Sequence, residues 1–488
     1  MTATSRLAAI LLIIAVVLGA CTAPSSAVGT DASNGWQPGL GLLTPIVAEP
    51  GFRGEFADPF LGDVAARTWK YLRSDWARSN HLPWSWRSEQ LQGGDYANTA
   101  EIGLLALAWL AAYDLGQPWS PTWDATESEV VAILTQLRSW QTGAQTEQPN
   151  GSNAFNKSVF YQWYWVTSKP PVVGAGENDR LVPSIDNAWL AAALMTIRSY
   201  AQTHSHDSMT EIADSILKDM EFLPWYDAST HLFDWGAVNS QQGGFPADYY
   251  SNENRIINFV ARALGQLSGD EYQASLAALY QFALSYESTQ GGEKIDVAKV
   301  AYDGSYFTYL TPALFIKEMS EEYGLTTIGP ATEAQIAYAK DQQYDIWGLS
   351  DCFDIADGAY LGQGAPPAVR PGSTETRPGL VTAHASALAL LTPYASEASE
   401  NLANIANNYP CAFDDDYGFY DSVLSGSVAG GESQCSYRFS ALAQEWLFLA
   451  LVNYHSDFIW RYFYMDPGVI QAHNEMFGYR AYLPALAN

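Results

Sequence analysis

Positive charge is scarce in this 488-residue chain: 24 Lys and Arg stand against 53 Asp and Glu, for a net charge of −29. Such an excess of acid repels phosphate backbones and excludes nucleic acid as a general partner. It also disfavours anionic polysaccharides unless one local basic patch overrides the average. Cysteine is rarer still, with four residues, and only Cys352, Cys411 and Cys435 lie beyond the first tenth of the chain. Their spacing fits no zinc pattern; an oxidising compartment allows one disulfide and one leftover thiol. Cys411 and Cys435 are the expected pair because they are nearest in sequence, and three buried thiols are the alternative. Nucleophile-elbow glycines, a P-loop, a dinucleotide fingerprint and zinc-ligand pairs are all missing, so no cofactor and no metal is expected. After the N-terminus, no apolar run is long and unbroken enough to span a bilayer.

The one notable apolar run comes first. Arg6 precedes Leu7 to Val17, followed by Leu18-Gly19-Ala20-Cys21. This run is too short to cross a membrane and has the layout of a secretory signal, and the small residue before Cys21 resembles a bacterial lipobox. Residues 1–20 are therefore expected to be a lipoprotein signal peptide with Cys21 as the lipidated residue; an ordinary signal cleaved nearby is the alternative. Residues 21–51, rich in Ser, Pro, Gly and Ala, read as a flexible tether to a single domain at 52–488. The expected location is the bacterial cell envelope, on the extracellular or periplasmic side. Membrane contact would come only through the anchor, and a monomer is expected.

Beyond residue 63, segments of helical period fall into two kinds. Apolar nearly all round are 101–116, 188–200, 256–267, 307–316, 385–394 and 441–454. Striped, with a solvated face, are 127–140, 209–223, 271–286, 332–343 and 396–409. All-round apolar helices belong in an interior and striped ones outside it. The two kinds alternate, which predicts an all-α fold, an α/α toroid built as a double ring of about six helical hairpins. Links from apolar to striped helices are short, such as Thr203 to Asp207. Links from striped to apolar helices are long: Gln141 to Pro183, Pro224 to Asn252, Thr289 to Ser305 and Tyr344 to Thr382. Long loops of this kind are usually functional, and in an antiparallel ring they emerge together, forming a cleft at one end.

Aromatic residues make up 14% of the chain, with 17 Trp and 29 Tyr, and many lie in those loops beside Asn, Gln and Gly. Aromatic faces beside planar hydrogen-bonding groups suit the apolar faces and hydroxyl rims of sugar rings, so the expected partner is a neutral polysaccharide or oligosaccharide. Trp163, Trp165, Tyr249, Tyr250 and Tyr306 are the expected sugar contacts. Hydrolysis of a sugar bond needs two carboxyl groups, one protonated and one ionised. Two acids stand at the start of apolar helices: Asp186 in PSIDNAWL and Glu253 in YYSNENRIINF. The helix N-terminus favours the ionised form and burial the neutral one, which can tune such a group for proton transfer. Glu253 is the expected general acid. The plain alternative is a first-turn acid behind Asn252 as N-cap. Asp186, or an Asp of the 351–357 loop such as Asp354, is the expected water-activating base. Glu177, Asp179, Asp351, Asp357 and Asp421 are further loop acids, most simply read as solvated. His384 is expected to be a satisfied core or cleft histidine.

Several strings together resemble the bacterial glucoamylase-like family: DGSYFTYLTPALF (303–315), WGLSDCFDIADGAYLGQGAPP (347–367), DDYGFYDSV (415–423) and WRYFYMDPGVI (460–470). PSIDNAWL and YYSNEN resemble the family's two inner helix starts. The resemblance implies an α/α toroid glycoside hydrolase related to the inverting endo-β-1,2-glucanases, with site roles for Asp186 and Glu253. Two family acids are missing: apolar Leu181-Val182 occupies the place of one, and Thr308 that of the other. The expected function is extracellular hydrolysis of a neutral glucan or oligosaccharide by inverting acid/base chemistry. A non-catalytic carbohydrate-binding lipoprotein and a polysaccharide lyase are the alternatives.

Overall fold

The computed structural model describes residues 54–91, 93–142, 159–167, 181–238, 241–245, 251–279, 282–369, 376–430 and 434–478. The expected signal and tether with Cys21, the loop acids Glu177 and Asp179, and Tyr249 and Tyr250 lie outside the described residues. No helix among the described residues is long and apolar enough to cross a membrane.

Fourteen α-helices are described: α1 (Pro59–Leu72), α2 (Thr99–Leu115), α3 (Trp123–Thr142), α4 (Ser184–Thr203), α5 (Asp207–Asp219), α6 (Arg255–Ala263), α7 (Gly269–Ala278), α8 (Tyr306–Leu310), α9 (Gly329–Asp341), α10 (Ala383–Ala389), α11 (Ala395–Asn408), α12 (Ala441–Ser456), α13 (Phe458–Phe463) and α14 (Pro467–Gly478). The two sequence classes separate as their surfaces require. Every residue of α2 except Tyr113 is buried. In α5 only Met209, Ala213, Ile216 and Leu217 are buried, a stripe at helical spacing. Among the apolar helices, α2 packs on α4, α4 on α6, α8 on the turn that leads into α6, α8 on α10, α10 on α12, and α12 back on α2. The striped helices α3, α5, α7 and α11 each lie on the apolar helix before them in the chain, α9 lies on α8, and α1 lies on α12. One hydrophobic cluster runs from Phe56 to Ala472.

The last two helices cover the C-terminal ends of the apolar helices. Arg461 of α13 pairs with Asp114 of α2 at 3.2 Å, and Tyr462 meets the ring of Tyr200 at 4.8 Å. Arg198 of α4 binds Asp466. At Gly468 a Cβ would lie 2.0 Å from the Ala263 carbonyl oxygen, so only glycine lets α14 approach the end of α6 this closely. The acid-bearing N-termini of the apolar helices therefore lie at the opposite end.

The long loops differ from the all-α expectation in carrying short antiparallel pairings. Tyr96–Asn98 pairs with Trp163–Trp165, Trp86–Arg87 with Phe439–Ser440, and Cys352–Phe353 with Tyr360–Leu361. A chain folded over a compact body must pair its backbone polar groups, and two- or three-residue ladders suffice. Helical period also misleads at 271–286: α7 stops at Ala278, and Leu284–Glu287 forms a strand against Lys294–Val297. Cys411 and Cys435 form the expected disulfide, and Cys352 is a buried thiol.

Candidate active site

Glu253 lies in a single 3-10 turn, Asn252–Asn254, that runs into α6. Asn252 is not a helix cap. Its amide donates to the Lys299 carbonyl at 3.1 Å and accepts from the Tyr323 hydroxyl at 2.7 Å. The turn is fixed from below by Arg255, which is 2% exposed and paired with the fully buried Glu318 at 2.6 Å. The same guanidinium donates to the Asn252 carbonyl at 2.5 Å and the Tyr309 carbonyl at 2.6 Å. Trp189 of α4 donates its indole N–H to Glu253 Oε1 at 2.7 Å. Trp189 follows Asp186 by three residues, so both lie on one face of α4, and that face is turned toward Glu253.

Asp186 belongs to a group of three carboxyls at the starts of α2, α4 and α12. Burial pushes its carboxyl up to about 6, against the opposing effect of a hydrogen bond with the Asn98 side chain. Asn98 caps α2 by accepting from Ala100 N at 2.6 Å, while Glu101 Oε2 accepts from Asn98 N at 2.7 Å, which completes a capping box. Glu101 Oε1 accepts from Ser85 Oγ at 2.9 Å. Burial lifts Glu101 to about 7, and the nearby charge of Asp186 adds to the rise. Glu445 of α12 is fully buried, and neither of its carboxylate oxygens has a hydrogen-bond partner among the described residues. Burial, followed by the charge of Glu101, drives it well above the carboxylate range. A buried unpaired carboxylate is too costly to stay ionised, so Glu445 holds its proton.

A second group of acids lies in the loops. Asp303 accepts from Ser305 N at 2.9 Å; Asp351 accepts from Gln363 N at 2.9 Å and donates its own N–H to Ser305 Oγ at 3.1 Å. The two strands of chain meet backbone to backbone. Gly304 has φ +75, and a Cβ there would stand 2.0 Å from the Ala365 carbonyl oxygen; a Cβ at Gly364 would stand 2.3 Å from Gly304 C. Burial, then the charge of Asp303, pushes Asp351 well above the carboxylate range, with a further rise from Glu253. Asp421 is 3% exposed, accepts from Phe353 N at 2.7 Å, and is lifted by burial to about 7. Tyr360 lies within the electrostatic reach of Asp351, Asp421 and Glu253.

The sequence-predicted residues divide accordingly. Glu253 and Asp186 are brought to one end of the apolar helices. Asp354 is spent on the turn of its own hairpin: its Oδ1 accepts from Ala356 N at 3.1 Å and faces Arg377 at 3.5 Å. Asp351, three residues earlier, is the acid of that loop that interacts with Glu253. Trp163 and Trp165 are half-buried, with ring centres 5.1 and 6.2 Å from that of Tyr96. Tyr306 is not a sugar contact. It is 0% exposed, and its hydroxyl is bonded to Thr332 Oγ1 at 2.5 Å inside the body. The half-buried residue of that short helix is Phe307, stacked on Trp446 at 5.1 Å. His384 is a core histidine, 2% exposed and bonded to Ser350 Oγ at 3.2 Å; burial lowers it to about 3, so it is neutral. Thr308, in the place of a family acid, turns its hydroxyl back to the Ser305 carbonyl at 2.8 Å. Glu101, Glu445 and Asp303 escaped sequence reasoning, although the first two carried a signal: acids inside helices otherwise apolar all round. Among the described residues, no three His, Cys, Asp or Glu side chains are grouped to hold a metal.

The helical body has counterparts among solved structures. A protein from Bacteroides caccae superposes with a TM-score of 0.69 at 17% identity, covering 86% of this chain and 98% of that one. An endo-β-1,2-glucanase from Chitinophaga pinensis, solved with sophorotriose and glucose, gives 0.69 at 16% identity, covering 86% and 97%. An endo-β-1,2-glucanase mutant from Talaromyces funiculosus, solved with β-1,2-glucan, gives 0.65 at 14%, covering 82% and 85%. At these identities the likeness establishes a shared fold. Residues 245–467 match the family model described as "Putative glucoamylase", the same description carried by the Bacteroides caccae structure, so the resemblance of the sequence motifs to that family stands. No curated protein matches the chain.

Proposed function

We propose that this protein is a glycoside hydrolase that cleaves a neutral β-linked glucan by inverting acid/base chemistry, on an α/α toroid scaffold. The closed sequence of contacts from α2 through α12 and back supports the toroid. The observation that carries the function is the Glu253 site: a half-buried carboxyl on a turn fixed by Arg255, positioned by the Trp189 N–H, with its charge felt at Asp351. Glu253 donates its proton to the leaving oxygen. The water on the opposite face of the sugar needs an ionised carboxylate. We assign the base to the Asp303–Asp351 pair, whose two segments meet at Gly304 and Gly364 and in which burial and then the charge of Asp303 raise Asp351. The acid excess of the chain and its loop aromatics support a neutral substrate, and the solved glucanases of this fold support a glucan.

Incubation with β-1,2-, β-1,3-, α-1,4- and α-1,6-linked glucans should release reducing ends from a β-linked polymer, with the first product in the inverted anomer by NMR. Binding without release would favour a sugar-capturing protein, and unsaturated, ultraviolet-absorbing products a lyase. Asp186 is the second reading for the base, because it shares a helix face with Trp189 at Glu253. Azide distinguishes the two. The variant lacking the true base, Asp303→Asn combined with Asp351→Asn or else Asp186→Asn, regains turnover with azide as nucleophile, and the other does not. We further place the protein at the cell envelope, anchored through Cys21; a Cys21→Ala variant that stayed with the membrane fraction would contradict this.

A further inference from the structure

Trp69 and Trp225 are deeply buried in the core, and half-buried rings such as Trp76 and Trp123 pack against it. Six aromatic residues of the loops stand apart from those named in that packing. Trp163, Trp165, Tyr96, Trp86 and Phe353 are half-buried, and Tyr360 is 36% exposed. They form one continuous series. Tyr96 lies edge-on to both Trp163 and Trp165, and Trp86 is hydrogen-bonded to Tyr96. Trp86 meets Phe353 at 6.1 Å, and Phe353 meets Tyr360 across the hairpin at 5.4 Å. The middle is held by Arg438, whose guanidinium lies 4.4 Å from the Trp86 ring centre and 4.9 Å from that of Phe353 and donates to the Gly358 carbonyl. Gly358 has φ +70, and a Cβ there would stand 1.9 Å from Arg438 Nη2, so no side chain fits without displacing the clamp.

The series joins the two groups of acids. At one end the Tyr96 strand finishes at Asn98, whose side chain bonds Asp186. At the other end Phe353 N holds Asp421, and the charges of Asp351, Asp421 and Glu253 act on the Tyr360 hydroxyl. We infer that this strip, from Trp165 to Tyr360, is an extended binding track for a neutral glucan chain, gripping several successive sugars on either side of the cleavage point and selecting polymer over short oligosaccharide. Half-exposed rings offer faces to pyranose rings, and side chains already locked by neighbours lose little freedom on binding. This inference rests on the glucan reading of the same site.

The test uses the full chain carrying Glu253→Gln, so that ligand is not consumed, with soluble β-1,2-glucan polymer and the disaccharide sophorose as probes in calorimetry. Trp165→Ala and Tyr360→Ala should each weaken polymer binding roughly tenfold, with a much smaller effect on sophorose. Tyr360→Phe, which keeps the ring, should restore affinity. Tyr454→Ala, which removes a more exposed ring (47%) on α12, should change nothing. Unaltered melting temperatures confirm the folds. Full polymer affinity in both Ala variants overturns the track, as does a parent that binds no neutral glucan polymer. Hydrolysis by the wild-type chain with full affinity in the variants overturns the track alone. Polymer binding through the strip without hydrolysis overturns the hydrolase reading and leaves the track standing.

Discussion

Asp421 provides a physical test that is independent of substrate. Its carboxyl is 3% exposed and is lifted from 3.8 to about 7, mainly by burial, against the Phe353 N–H and the Arg438 charge, which lower it. A raised carboxyl contributes stability that is fully present below its unfolded pKa and is lost as pH climbs through the folded value. At ~1.4 kcal/mol per pH unit, the rise corresponds to roughly 4 kcal/mol lost between about pH 4 and pH 8. Asp421→Asn keeps an oxygen for Phe353 N and removes the titration. Glu101 and Asp186, raised by burial to about 7 and about 6, impose slopes of the same sign on both proteins and cancel in the difference. Urea unfolding followed by Trp fluorescence should therefore show the variant gaining roughly 4 kcal/mol on the wild type over that window. A gap that stays constant with pH, or moves the other way, would refute the reasoning.

Other perturbations follow from the same contacts. Glu318→Ala leaves the Arg255 guanidinium buried and unpaired, which should cost about 3–5 kcal/mol in urea unfolding. It should also lower kcat, because Arg255 holds the turn that carries Glu253. An unaltered kcat would show that the turn does not depend on the pair. Trp189→Phe removes the 2.7 Å donor from Glu253 Oε1, a bond worth about 1.5–3 kcal/mol when the acceptor is charged. That donor favours the ionised carboxylate, so its loss should raise the acid's pKa and move the alkaline limb of kcat/KM upward by about one to two pH units. A limb that moves down would contradict the assignment.

Much of the body was legible in the sequence because burial leaves a periodic trace. The all-round apolar string of α2 and the stripe of α5 reveal inside and outside without knowledge of any partner. The start of α6 was also readable, since an acid before an apolar run is conspicuous. Tyr306 was misread because α8 has only five residues, too few for periodicity to tell which of Tyr306 and Phe307 turns inward. The part Arg255 plays in fixing the Glu253 turn left no local trace, because its partner, Glu318, lies 63 residues away. Asp351 and Asp354 are equivalent by composition; only the hairpin turn at 354 and the glycine-permitted contact of 304 with 364 separate them. The strand Leu284–Glu287 was hidden because its ladder partner, not its own period, sets its conformation.

The role proposed for Glu253 is to supply the proton for glycosidic cleavage. Its most direct test is the rate of reducing-end release from β-1,2-glucan by Glu253→Gln against wild type, with polymer affinity measured on the same preparations. General acid catalysis contributes typically 10²–10⁴-fold, so kcat should fall by about that factor while affinity and melting temperature hold. A variant that keeps wild-type kcat on a glucan the wild type hydrolyses would contradict the account.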